Sequence, residues 1–143
     1  MNYRHSFHAG NFADIVKHAL LLWLLERRQA QGAVSVIDTH AGAGLYDLTG
    51  DAARSREAEA GIARLMAADD RPPLIEALAA AVAQLNPDGR VTFYPGSPRL
   101  IAQRLGEDDR YVGFELNPPV LELLAGALEG FPQAMAEGGD GYD

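Results

Sequence analysis

The chain contains no cysteine. That absence excludes disulfides, thiolate metal sites and cysteine nucleophiles, and it fits a reducing compartment such as the cytoplasm. Long apolar runs are missing as well. The longest, Ala19 to Leu25, falls far short of the roughly 18 residues of a membrane-spanning helix, so no membrane partner is expected. At the N-terminus no basic stretch leads into an apolar segment with a small-residue cleavage site, so no secretory leader is expected. Neither a repeat nor a low-complexity tract emerges, and 143 residues predict about one domain. Positive charge is scarce: 12 basic residues against 20 acidic ones give a net charge of −8. The deficit is uneven. Residues 1–28 carry Arg4, Lys17, Arg27 and Arg28 against Asp14 and Glu26, a net of +2 that leaves −10 for the remainder. A polyanionic partner would have to be met mainly by that first segment, because the rest repels phosphate.

What is present reads as an α/β chain. Residues 1–10 read as an extended N-terminal tail. Asn11 then reads as a helix N-cap, with Asp14 placed as in a capping box. The helix continues to about Gln31, with Phe12, Ile15, Val16, Ala19, Leu20, Trp23 and Leu24 as a wide buried stripe and Gly32 as its stop. The run "AVSVID" (33–38) is a strand ending at Asp38. Residues 49–90 break the alternation: "DAARSREAEAGIARLMAA" and "PLIEALAAAVAQL" are Ala-rich and helical, separated by "DDRPP". They read as a helical insertion. After the turn "NPDGR" come the strand "VTFYPG" (91–96), the helix "SPRLIAQRL", the strand "RYVGFEL" (110–116), the helix "NPPVLELLAGAL" and a last strand in "PQAMAE". That order predicts a Rossmann-like parallel sheet over 11–48 and 91–143, interrupted by the helical insertion.

Two phosphate-binding signatures fail. Position 47 is Asp, so the stretch after the first strand is not G-x-G-x-x-G, and no Gly-Lys-Ser/Thr follows. What remains, Asp38-Thr39-His40-Ala41-Gly42-Ala43-Gly44, is D-x-x-x-G-x-G. This is the loose form of the S-adenosylmethionine loop of class I methyltransferases, and an ordinary strand-to-loop turn also satisfies it. Ligands of open α/β sheets bind beyond the carboxyl ends of the strands, where glycines let the backbone approach them. Glu115 ends the strand "YVGFE", in the manner of the acid that holds ribose hydroxyls, and Asp140 in "GGDGYD" closes the next strand. Either acid taken singly also reads as a helix cap or turn residue. His5 and His8 are three apart, but no H-E-x-x-H occurs, so no metal is expected. His18 and His40 are candidate donors to a cofactor carboxylate, or else solvated or capping histidines.

Taken in order, "YRHSFHAGNFADIVKH" (3–18), "DTHAGAG" (38–44), "YPGSP" (94–98), "FEL" (114–116) and "DG" (140–141) resemble the bacterial ribosomal RNA large subunit methyltransferase J family. The resemblance covers essentially the whole chain. It implies a Rossmann-like class I S-adenosylmethionine-dependent fold with a helical insertion, and methyl transfer to N6 of an adenine in 23S rRNA. By that resemblance His18, His40, Ser97, Glu115, Asp140 and Gly141 match cofactor-binding positions; Asp38, Gly42 and Gly44 are candidates from the strand-end loop pattern itself. Tyr3 matches a position implicated in contact with substrate RNA, and Arg4 and Lys17 add positive charge near it. A cytoplasmic monomer that uses no metal is expected.

Adenine-N6 methyltransferases also need a D/N-P-P-aromatic loop, whose polar residue holds the amine while the aromatic ring stacks on the base. In the family it follows the "DG" segment, and no such loop occurs here. The look-alike "NPPV" (117–120) follows Glu115 directly and offers Val120 where a ring is needed, so it reads as a helix start. No catalytic residue is therefore assigned, and the chain reads as a cofactor-binding half with the C-terminal part of the fold missing. The alternatives are a non-catalytic cofactor- or RNA-binding module and a plain interaction domain.

Overall fold

A computed structural model describes residues 4–143, so Tyr3 lies outside the described residues. Contacts divide the chain into two compact units: the chain up to Trp23 with Tyr46–Pro95, and Leu24–Leu45 with Gly96–Asp143. The expected insertion, 49–90, falls inside the first unit, which also takes in the start of the long N-terminal helix.

In the first unit, the N-terminal stretch is not extended as the sequence suggests. His5–His8 forms a single helical turn, α1, followed by α2 (Phe12–Gln29). Polar side chains fasten this start to residues 51–57. The Ser6 hydroxyl donates to Asp51 at 3.2 Å, His8 Nδ1 lies 2.9 Å from Glu57 Oε1, and the Asn11 amide donates to Glu57 Oε2 at 3.0 Å. Asn11 does cap α2, its Oδ1 accepting the Asp14 N–H at 3.0 Å. Asp14 leaves the capping box open and turns instead to the Gly10 N–H, His5 and Lys17.

The buried face of α2 differs from the expected stripe. Ile15, Ala19, Leu22 and Leu25 are buried together with Asp14 and His18, whereas Phe12, Val16, Leu20, Trp23 and Leu24 are 43–75% exposed. Apolar residues surround most of this helix, so periodicity alone does not select the side that packs.

The helical stretch after it comprises α3 (Asp51–Ser55), a π-helical turn (Glu59–Ala63), α4 (Arg64–Ala67) and α5 (Pro73–Leu85). The expected first helix of this stretch is broken because Arg56 adopts φ +58°, the left-handed conformation that ends helices. In the π turn, the backbone of Gly61 lies against the Gly10 carbonyl, which also accepts the Ile62 N–H at 2.9 Å. Strands β2 (Leu45–Asp47) and β3 (Phe93–Pro95) form a separate two-stranded sheet. The sequence reading lacks β2 and puts β3 in the main sheet. A three-residue strand is too short to show a period.

The second unit holds a parallel sheet of β1 (Ser35–Asp38), β4 (Arg110–Glu115) and β5 (Ala134–Gly138), in the order β1-β4-β5. Parallel neighbours need a crossover, and α7 (Pro118–Ala127) supplies it between β4 and β5, packing on both. Helix α6 (Ser97–Ala102) packs on β4 and α7. Tyr111, Leu100, Ile101, Leu124 and Ala127 are buried in this layer. Asp109 secures the entries to β1 and β4, accepting from the Val34 N–H at 2.7 Å, the Gly106 N–H at 2.8 Å and the Gln29 amide at 2.7 Å. These bonds, the Gly106 N–H first, hold its carboxyl below the usual range. Among the described residues no helix is long and apolar enough to cross a membrane.

Candidate functional site

Register brings the three strand ends of the second unit level. Asp38 lies opposite Gly113, and Glu115 lies opposite Gly138. The loops that leave β1, β4 and β5 therefore emerge side by side at the carboxyl end of the sheet, where open α/β sheets take their ligands. Asp38, His40, Gly42, Gly44, Glu115, Asp140 and Gly141 all sit on these ends and loops. Backbone bonds knit them: the Ala41 N–H donates to Phe114 O at 3.0 Å, and the Gly139 N–H to Glu115 O at 3.2 Å. Ser97 opens α6 next to Gly96, whose N–H donates to Gly44 O at 2.9 Å.

The loop glycines are needed for their backbone. Gly42 and Gly44 hold φ +70° and +75°, and a Cβ on Gly44 would press on Ala127 at 3.1 Å and Leu124 at 3.3 Å. Gly141 lies so close to the Thr39 carbonyl that no side chain fits, which binds the 139–143 segment to the D-T-H loop. His40 is exposed, with Nδ1 2.9 Å from the Thr39 hydroxyl and its ring 4.9 Å, edge to face, from Tyr142. The Asp140 Oδ1 accepts the Tyr142 N–H at 3.0 Å, and the Glu115 Oε1 accepts the Asn117 N–H at 2.9 Å. Both acids thus shape their own turns. Each has a second carboxylate oxygen for which no hydrogen bond occurs among the described residues. Asn117–Val120 begins α7, with proline in its first turn and the Asn117 carbonyl accepting the Leu121 N–H at 2.9 Å.

His18, Lys17 and Arg4 belong to the first unit. His18 is 1% exposed, and its Nδ1 shares a 2.6 Å hydrogen bond with the Tyr94 hydroxyl. Burial, partly opposed by the Asp14 charge, pushes the imidazole down to about 4. Burial pushes the Tyr94 hydroxyl up. Asp14 is buried too, which by itself raises its carboxyl. His5 at 3.1 Å and Lys17 at 3.0 Å nevertheless hold it well below the usual range. A cavity of about 120 Å³ in this unit, lined by Leu48, Ala52 and Val91 among others, is too small for a nucleoside cofactor. Among the described residues no three His, Asp or Glu side chains converge on a metal position.

The family model described as "Ribosomal RNA large subunit methyltransferase D, RlmJ" matches residues 31–143, which include every loop of this sheet end. The chain belongs to the ribosomal RNA large subunit methyltransferase J family. It is 38% identical over 144 aligned residues to the Ribosomal RNA large subunit methyltransferase J of Escherichia coli, covering 99% of this chain and 51% of that protein. It is 36% identical to the Haemophilus influenzae protein of the same name, covering 87% of this chain and 45% of that one. A crystal structure of a Legionella pneumophila protein superposes with a TM-score of 0.84 at 29% identity, over 94% of this chain and 50% of that one. The chain thus spans about half the length of the relatives it matches.

The sequence reading overlooks two aromatic residues at this sheet end. Tyr142 lies against His40, and the Tyr111 hydroxyl donates to Asp38 Oδ2 at 3.1 Å. For Tyr111 a signal existed: in "RYVGFE" it precedes Gly113 by two positions, so both share one strand face. A buried phenol beside a missing side chain needs a polar partner.

Proposed function

We propose that this chain is the cofactor-binding half of an S-adenosylmethionine-dependent methyltransferase acting on N6 of an adenine in 23S rRNA, built on a Rossmann-like class I sheet. The supporting observation is the side-by-side arrangement of Asp38, Glu115 and the Asp140–Gly141 turn at the end of one parallel sheet. Membership of the family supports the reaction class, and the names of the Escherichia coli and Haemophilus influenzae relatives support the ribosomal substrate. The residues present suit the cofactor. Two exposed or half-buried carboxylates stand where hydroxyls and an amino group could donate to them, and glycine at positive φ keeps the loop backbone open beneath.

In this assignment Glu115 takes ribose hydroxyls, and Asp140 accepts from the adenine amino group of the cofactor. His40 lies toward the methionine end, Gly42 and Gly44 at positive φ let the loop backbone pass close under the cofactor, and Gly141 holds the Asp140 turn against Thr39. Ser97 lends a hydroxyl at the start of α6. When bound, S-adenosylmethionine supplies an activated methyl group. This chain's residues hold and orient it, and orientation alone accounts for a large share of such catalysis. Arg4 and Lys17, with Tyr3, would meet RNA phosphates and the unstacked base.

Calorimetric titration of S-adenosylhomocysteine into the chain tests the assignment. Saturable binding is expected, weakened about tenfold or more in His40→Ala and in Glu115→Ala. A folded chain that takes up no S-adenosylhomocysteine would overturn it. Binding without methyl transfer to ribosomal RNA would favour the non-catalytic module.

A further inference from the structure

Both oxygens of Asp38 are already engaged inside the protein. Oδ1 accepts the backbone N–H of His40 at 3.2 Å, and Oδ2 accepts the Tyr111 hydroxyl at 3.1 Å. Tyr111 is only 2% exposed, and its phenol reaches Asp38 by crossing the position where a side chain of residue 113 would stand. A Cβ on Gly113 would lie 2.5 Å from the Tyr111 hydroxyl and 2.9 Å from the Ala41 Cβ. The register explains the reach: Asp38 is opposite Gly113, and Tyr111 lies two residues back on the same face of β4. The empty position in β4 is thus a passage from a buried phenol to the first residue of the D-T-H-A-G-A-G loop.

We propose that Tyr111 is a positioning residue for the cofactor loop: through Asp38 it fixes the backbone of His40, and Gly113 is the residue that lets it do so. The inference rests on the cofactor assignment above for its functional meaning, though not for its geometry. A buried hydroxyl without a partner is costly, and a hydrogen bond to a carboxylate is stronger than a neutral one. The pair therefore holds Asp38 in one rotamer. With that rotamer fixed, Oδ1 faces the His40 N–H and the loop is set before a ligand arrives. Preorganisation of this kind lowers the ordering cost of binding. Burial, followed by the Asp38 charge, raises the Tyr111 hydroxyl above its ordinary range, which keeps it a donor. Asp38 thus serves the site by holding the loop, while contacts to the ligand fall to Glu115, Asp140 and His40.

Two readouts on one set of variants test the proposal. Tyr111→Phe keeps the ring that fills the core and deletes only the hydroxyl, and Asp38→Asn keeps the shape of the acceptor. By nuclear magnetic resonance, Tyr111→Phe should speed amide exchange of His40 at least fivefold while leaving the amides of Val112 and Met135 unchanged. By calorimetry the same variant should weaken S-adenosylhomocysteine about five- to tenfold. The Tyr111→Phe, Asp38→Asn double variant should be no weaker than the weaker single one. Unchanged His40 exchange in Tyr111→Phe overturns the proposal, as does additive loss in the double variant. Faster His40 exchange in a chain that takes up no S-adenosylhomocysteine upholds the loop-positioning role and overturns the cofactor assignment instead. Gly113→Ala, which obstructs the passage, should reproduce the Tyr111→Phe exchange pattern, and a wild-type pattern there also overturns the proposal.

Discussion

A histidine that is 1% exposed and pushed down to about 4 is neutral in the folded chain at pH 7, whereas the unfolded chain binds its proton near 6.5. Between those values the unfolded state holds more protons, so stability rises with pH and falls as pH drops from 6.5 toward 4. At 1.36 kcal/mol per unit the loss reaches at most about 3 kcal/mol. Asp14 acts in a different window. Its carboxyl is depressed below 3.8, so the stability it contributes is present above that pH and is lost as pH falls through lower values. Urea denaturation at pH 7, 5.5 and 4.5 should therefore show a falling midpoint. His18→Gln, which keeps a polar partner for Tyr94 but does not titrate, should flatten the curve over that range. An unchanged slope in His18→Gln would place the titrating group elsewhere.

Elements in this chain are joined by single polar residues as much as by apolar contact. Asn86 is the clearest case. Buried at the end of α5, it donates to Val82 O at 2.8 Å and Phe93 O at 2.9 Å, and it accepts the N–H groups of Thr92 at 2.8 Å and Phe93 at 2.9 Å. Asn86→Ala should cost about 2–4 kcal/mol, because each buried group left unpaired costs about 1–3 kcal/mol. The loss should appear as a lower urea midpoint with the slope unchanged. Such joints explain which parts of the fold the sequence discloses. Strands 35–38 and 110–115 are visible as β-rich runs between helices, and 134–138, which is not β-rich, by its place in the alternation; Asp38, Glu115 and Asp140 were legible because each ends such a strand or follows it closely. The partner of β3 was not legible, since strand pairing depends on residues distant in sequence, and the partner has three residues of its own. The packing face of α2 was hidden for a different reason. Asp14 and His18 lie on the buried side, where a hydrophobicity pattern assigns solvent. They can lie there because His5, Lys17, Gly10 and Tyr94 satisfy them, and those partners are not spelled out by any local motif.

For the molecule as a whole, charge sets how it can meet a polyanion. The net charge is −8, while residues 1–28 carry a net of +2, with Arg4, Lys17, Arg27 and Arg28 against Asp14 and Glu26. Lys17 already lies 3.0 Å from the Asp14 carboxylate, so part of its charge is spent within the protein. Each phosphate contact with single-stranded nucleic acid contributes about −0.7 to the slope of log affinity against log salt. Docking through this segment alone, with four basic side chains, therefore limits that slope to about −3. Fluorescence anisotropy with a single-stranded ribosomal RNA fragment, titrated from about 50 to 200 mM potassium chloride, should give a slope no steeper than that. Arg4→Glu should weaken binding and reduce the slope by roughly one contact, about 0.7. A steeper slope, or one that Arg4→Glu leaves unchanged, would move RNA docking away from the N-terminal segment. Binding would then fall to basic residues outside that segment, first to Arg90, Arg99 and Arg104, between which no acidic residue occurs.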